Sequence, residues 1–173
     1  QSSLFPSDDF PDAHINVEPA WDIETGQSYT KVGVYDNVIF WAHEDFGDGT
    51  LEGSQVEGGW DFNNNTNLAA ATDPESHGTA VAGIIGALRD NELGIAGIAG
   101  GGLDDEGNNN EGVQLFSLGI FDGGDFAGDD VVGPAIVEGA MFDETQEPPG
   151  YGLHIQNHSW GGPDSPTKEN AVE

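Results

Sequence analysis

Two residues in this chain could share chemistry if the fold brings them together. Asp36 ends the short apolar run Lys31-Val-Gly-Val-Tyr35, and His77 opens a run of small residues that continues to Leu88. Taken singly, an Asp at a strand end more often caps a turn, and a His at a helix start is usually structural. As a pair they fit nucleophilic catalysis. A His general base needs a carboxylate on its other ring nitrogen, which fixes the tautomer and stabilises the imidazolium. Asp before His, with a Ser further along, is one of the recurring chain orders of such a triad.

The flanking sequence sets the elements that must position the pair. The run 31–35 reads as a buried strand, with Asp36 at its C-terminal end, the sheet edge where ligand sites form. The stretch 77–88 is small and apolar all round, which suits a buried helix packed closely on a sheet. Val113 to Ile120 reads as a second strand and Leu153 to Ser159 as a third. Residues Asp129 to Phe142 have helical spacing through Val132, Ile136, Val137 and Ala140. Acidic residues at their start suit a helix N-terminus, and Pro134 is expected in the first turn. Strands alternating with helices predict an α/β fold around a mostly parallel sheet. Residues 44–76 read as a long ordered loop. The Gly- and Asn-rich segment Gly100 to Gly112 reads as a flexible surface insertion, with a metal loop as the alternative.

Charge narrows the partners. Three basic residues (Lys31, Arg89 and Lys168) face 32 acidic ones, a formal net charge of −29. Such a surface repels nucleic acid and anionic membrane and attracts cations, either metal ions or basic polypeptide. Most of the carboxylates read as a solvated surface, and a minority as calcium ligands, because Ca²⁺ takes several oxygens. The chain has no Cys, so metal is the expected substitute for disulfides in an exported protein. No run of 18 apolar residues occurs. The chain begins at Gln1 without Met, which fits a processed start, a missing leader or a chosen boundary equally.

The motifs resemble those of the subtilisin-like serine proteases. Val34-Tyr-Asp36-Asn, with His43 and Asp45 seven and nine residues after Asp36, looks like the family's Asp motif. His77-Gly-Thr-Ala-Val-Ala-Gly83 is similar to its His motif, and Ser159-Trp-Gly-Gly162 to its substrate-binding strand. Gly59-Trp-Asp-Phe-Asn-Asn-Asn-Thr-Asn-Leu68, together with Trp160, resembles the kexin and furin branch. The resemblance implies the N-terminal half of a subtilisin-like three-layer α/β fold. Asp36 would then orient His77, the general base and later general acid. Ser159, Trp160 and Gly161 would pair with the substrate backbone as an added strand.

The same resemblance assigns Asp164 to the bottom of the P1 pocket, where it also ligates calcium and selects Arg or Lys; a plain turn residue is the alternative. It implies a second calcium site from Leu88, Asn91, Leu93 and Ile95, completed by Asp45 and by Asp9, with Asp8 and Asp12 as alternatives to Asp9. Asp61 is a candidate ligand of another site.

Some positions depart from the kexin-like pattern. Asn37 stands where such enzymes carry a second Asp, so a paired-basic preference does not carry over. Val38 replaces the usual Gly, the cysteines of eukaryotic members are absent, and the 100–112 insertion is atypical.

Nothing in the 173 residues resembles the family's nucleophile motif, and Ser159 lacks that context. The expectation is therefore a calcium-dependent, extracytoplasmic serine endopeptidase that cleaves after basic residues. Residues 1–173 would form the N-terminal part of its catalytic domain, and the Ser would lie on a C-terminal fragment separated by a nick near Glu173. A pro-segment or protein inhibitor is a further partner class. The rival readings are a broad-specificity subtilisin and a non-catalytic acidic calcium-binding module.

Overall fold

The computed structural model describes residues 15–67, 76–103, 109–122, 125–143, 145, 148–161 and 171. Asp8, Asp9, Asp12 and Asp164 lie outside them. In chain order the elements are α1 (Glu18–Trp21), β1 (Lys31–Asp36), β2 (Val56–Asp61), β3 (Thr66–Asn67), α2 (His77–Gly86), β4 (Gly102–Leu103) and β5 (Asn109–Asn110). They continue with β6 (Gln114–Gly119), β7 (Phe121–Asp122), β8 (Asp125–Phe126), α3 (Asp129–Ala140), β9 (Phe142–Asp143), β10 (Gly150–Tyr151) and β11 (Ile155–Asn157).

Five strands form the main sheet in the order β11-β1-β6-β2-β3. All its pairings are parallel except the short β2–β3 contact. β1 sits between β11 and β6, so the Asp36 strand is interior, not an edge. Side chains alternate across the sheet. Val32, Val34, Val56 and Leu115 join Ile39, Phe46 and Ala82 in one core, under α2. Tyr35, Phe116 and Leu118 join Ile120, Val132, Ala135 and Ile136 in the other, under α3. The result is a three-layer α/β arrangement, as the sequence predicts.

Two expectations require correction. The segment 44–76, read as a loop, contains β2, an interior strand of the sheet. A register shift between Val56 and Gly58 and the Gly58-Gly59 pair break the period-two pattern that would have marked it. Pro134 lies in the second turn of α3, not the first. Its missing N–H leaves the Asp130 carbonyl without its helical donor, a cost the buried face of Val132, Ala135 and Ile136 offsets.

The 100–112 segment has described ends with fixed partners. Gly101 donates its N–H to the Thr25 carbonyl at 2.9 Å, and Arg89 Nη1 donates to the Gly101 carbonyl at 2.9 Å. Arg89 also lies over the Trp21 ring, 3.8 Å from its centroid, while Trp21 Nε1 donates to the Ile98 carbonyl at 2.8 Å. Lys31 reaches the Tyr151 carbonyl at 3.1 Å. No helix among the described residues is long and apolar enough to cross a membrane.

Candidate active site

α2 begins where its sequence says it should. Ser76 is the N-cap, and its Oγ accepts the Thr79 N–H at 3.2 Å, satisfying one of the orphan donors of the first turn. The same hydroxyl donates to the Val38 carbonyl at 3.0 Å, and Thr79 Oγ1 accepts the Phe40 N–H at 2.9 Å. Two side chains of the helix start thus hold the loop that leaves β1.

Gly78 makes the close approach feasible. A Cβ at that position would lie 2.2 Å from the Asn37 carbonyl oxygen and 3.2 Å from Asp36 Cβ. The His-Gly-Thr sequence therefore has a physical reading: His for chemistry, Gly for contact, Thr for tethering.

This places the two side chains together. His77 Nδ1 lies 2.8 Å from Asp36 Oδ2 and 2.9 Å from Oδ1. Asp36 is 2% exposed, whereas the His77 side chain is 61% exposed. Asp36 Oδ1 also accepts the Asn37 N–H at 2.8 Å, and the Asp36 carbonyl accepts from Ile120 at 2.9 Å. A buried carboxylate with this partner fixes the proton on Nδ1 and leaves the Nε2 lone pair for another group. The pair can take a proton from a hydroxyl and return it.

Beside the pair runs the segment 159–161. β11 is parallel to β1 in the register Val34↔Asn157, and two residues further along each chain come Asp36 and Ser159. Ser159 and Gly161 are exposed. Asn157 Nδ2 donates to Ser159 Oγ at 2.9 Å, and nothing lies within 4 Å of where a Gly161 Cβ would be. An extended peptide has open backbone to approach there. Trp160 packs against the α3-side core.

The residues read as calcium ligands fall into two groups. Leu88, Asn91, Leu93 and Ile95 line an open cavity of about 250 Å³, and Asp45 lies against the same loop. The Leu88 N–H donates to the Asp45 carbonyl at 2.8 Å, and the Ile95 N–H to Asp45 Oδ2 at 3.2 Å. Asp45 Oδ1 is buried with no hydrogen-bond partner, a costly state for a carboxylate oxygen. A Cβ on Gly94 would run into that oxygen, and Gly94 has φ +40. Asn91 Oδ1 accepts the Leu93 N–H at 3.1 Å, while its Nδ2 is buried without a partner. The donor set fits a hard cation bound by one carboxylate, an amide oxygen and loop carbonyls. Among the described residues no three His, Asp or Glu side chains cluster at one point, so any cation here depends on carbonyl oxygens.

Asp61 is different. Its Oδ1 accepts the N–H groups of Asn63 and Asn64, both at 3.0 Å, and its Oδ2 accepts from Asn64 Nδ2 at 2.7 Å. It organises the turn between β2 and β3, as Asp followed by Asn-rich sequence does.

Sequence reasoning passed over two groups near the site. Ser76 was legible as a helix cap. The His158 ring, stacked on Tyr35 at 4.5 Å between centroids, had no signal except its place before Ser159.

A family model described as the subtilase family matches residues 27–173. The chain is similar to thermitase from Thermoactinomyces vulgaris, 35% identical over 95 residues, which covers 55% of this chain and 31% of that protein. It is also similar to the thermophilic serine proteinase of Bacillus sp. (strain AK1), 38% identical over 80 residues, covering 46% of this chain and 18% of that protein. The matched parts span less than a third of the length of either relative.

Proposed function

Because the chain belongs to the subtilase family, we propose that it supplies the acid–base half of a serine endopeptidase. The observation that carries this reading is the 2.8 Å contact between the exposed His77 ring and the buried Asp36 carboxylate. The nucleophilic Ser comes from sequence beyond these residues, on a C-terminal fragment or continuation of the same protease.

In this reading Asp36 holds the Nδ1–H tautomer of His77. His77 Nε2 takes the Ser hydroxyl proton as oxygen attacks the scissile carbonyl, and the same proton passes to the leaving amine. Water then repeats the sequence on the acyl-enzyme. Ser159, Trp160 and Gly161 pair with the substrate backbone, which fixes the carbonyl near the base.

Substrate choice follows from charge. The chain carries −29, and the family resemblance assigns Asp164 to the pocket floor, where it would pair with Arg or Lys and favour basic P1 residues. The Gly59-Trp-Asp-Phe motif and Trp160 support placement in the kexin-like branch. The orphaned, buried Asp45 Oδ1 supports a calcium ion in the 88–95 loop, with Asp45, Asn91 and the loop carbonyls as ligands and Asp9 as a further carboxylate. Such an ion would tie the loop to Asp45 and supply stability, not chemistry. Asp164 is proposed as a ligand of a second ion. An enzyme of this kind, acidic and free of Cys, suits an extracytoplasmic setting, where a pro-segment or inhibitor would occupy the 159–161 strand.

A fluorophosphonate probe applied to the full-length protease tests the reading. Covalent labelling that Asp36→Asn slows about 10⁴-fold is expected. A folded, full-length protein that never labels would refute it and leave the acidic calcium-binding module. Rates on Arg, Lys, Phe and Leu peptide substrates separate the basic preference from a broad one. Denaturing electrophoresis with intact mass shows whether the two halves are one chain or two.

A further inference from the structure

His158 puts a titratable ring where charge is poorly accommodated. It follows β11 directly and precedes Ser159. Its ring lies nearly parallel to Tyr35, with centroids 4.5 Å apart and planes at 26°. Trp160 meets it edge-on, at 5.4 Å and 82°. Its Nδ1 is buried without a hydrogen-bond partner, and its Nε2 lies 3.4 Å from Gln156 Oε1. Gln156 is itself anchored, its Nε2 donating to the Ile136 carbonyl at 3.1 Å.

The groups around the ring do not favour a cation strongly. From β1 comes the Tyr35 phenol, which donates to the Ala135 carbonyl at 3.2 Å and is kept neutral by burial. From the ring's own segment come the neutral Gln156 amide and the Trp160 indole. α3 carries Glu138 as its one carboxylate beyond the first turn, and no ion pair joins it or any other described carboxylate to His158. A cation over the Tyr35 face would gain some attraction. Losing water from a ring with one unsatisfied nitrogen outweighs that gain, and burial accordingly lowers the His158 pKa from its ordinary value of 6.5.

We propose that the neutral His158 ring, clamped between Tyr35 and Trp160, is a positioning residue that holds the Ser159–Gly161 backbone in place, so that its protonation weakens substrate binding. This rests on reading Ser159–Gly161 as the substrate-binding strand. Tyr35 precedes Asp36 directly, so one stack of rings joins the acid of the pair to the strand that presents the peptide. An imidazolium must turn its Nδ1–H toward water, and Trp160 cannot keep its edge contact when it does.

The test uses the full-length protease and a short peptide anilide with Arg at P1. As pH falls one unit below the His158 pKa, KM is expected to rise about tenfold, because only the neutral fraction is competent to bind. The same runs give kcat, the internal reference for the chemical step. His158→Phe keeps a stacking ring without a titratable nitrogen, so its KM should stay flat while its kcat profile follows that of the unsubstituted enzyme. A flat KM in the unsubstituted enzyme, or an unchanged rise in His158→Phe, overturns the proposal.

If that variant does not fold, nuclear magnetic resonance of the unsubstituted protein decides. The Trp160 indole signal should move with the same midpoint as ¹³C-labelled His158, and an indole that ignores that titration sinks the idea. Absence of fluorophosphonate labelling would instead refute the protease reading, and the His158–Trp160 titration remains readable without activity.

Discussion

Gly78→Ala adds one methyl group at the point where α2 touches the loop after β1. Helix propensity alone favours the change, by about 1 kcal/mol. The contact opposes it: the new Cβ would sit 2.2 Å from the Asn37 carbonyl oxygen, with Asp36 Cβ at 3.2 Å. Both obstacles are backbone or stiff, so neither rotates away. Relief requires the helix start to retreat by about 1 Å, and misplacement on that scale costs roughly 10²-fold in rate. Overpacking of this kind destabilises by about 1–3 kcal/mol, which exceeds the propensity gain.

The assay compares kcat/KM, fluorophosphonate labelling rate and melting temperature for the full-length protease and this variant. Gly83→Ala is the internal control, because its nearest obstacle is the movable Ile95 Cδ1 at 3.2 Å. Gly78→Ala should lose about 10²-fold in labelling rate and melt lower, while Gly83→Ala stays close to the parent. A Gly78→Ala enzyme that melts higher and labels at the original rate would refute the claim that this glycine sets the Asp36–His77 distance.

Other outcomes follow from the same geometry. Asp36→Asn should lower kcat about 10⁴-fold with little change in KM, since the amide stabilises the wrong His77 tautomer. Calcium at a thousandfold excess over Kd should raise stability by about 4 kcal/mol; Asp45→Ala should abolish that shift, and thermal melts with and without EDTA read both. Trp21→Ala removes the Arg89 contact at 3.8 Å and the bond to Ile98, so a loss of about 2 kcal/mol is expected in denaturant titration. Burial pushes the Tyr151 phenol up to about 12 from 10.0, and Tyr35 is raised by burial and by Tyr151. Both folded values lie above the unfolded one, so stability is fully present below pH 10 and is lost as pH rises beyond it. Tyr151→Phe should shallow that alkaline decline in melts between pH 8 and 11.

What the sequence made legible follows from how each signal is encoded. β1 and β6 were readable because their burial is nearly continuous, and a run such as Val32 to Tyr35 has few alternative fates. α2 was readable as a helix, but it buries one face, Gly78, Thr79, Ala82, Gly83 and Gly86, and leaves Ala80 and Ile84 exposed, so it is not buried all round. The Asp36–His77 pairing was readable because two motifs constrain it from both sides. β2 was not: Glu57-Gly58-Gly59 looks like a loop, and only pairing with β6 makes it a strand. Pro134 was placed one turn early although the start at Asp129 was read correctly; it is the sixth helical residue, past the first turn of about 3.6 residues. The resemblance made Asp61 a candidate metal ligand, and the structure adds a turn role that Asn63 and Asn64 following it made legible: three N–H donors meet its carboxylate. The His158 stack was invisible because the partners Tyr35 and His158 are 123 positions apart.

The neighbouring register of β1 and β11 acts as a ruler with fixed divisions. Backbone bonds set the spacing between the Asp36 end and the Ser159 end, so changes in the α3–β11 connection that spare its anchored part, Tyr151 to His154, should move neither. A single residue inserted within β11 itself would slide every later position by one step and turn each side chain to the opposite face. Variation in selectivity among enzymes built this way should therefore collect in the connecting loops and beyond residue 161, and the three ladder positions should resist it.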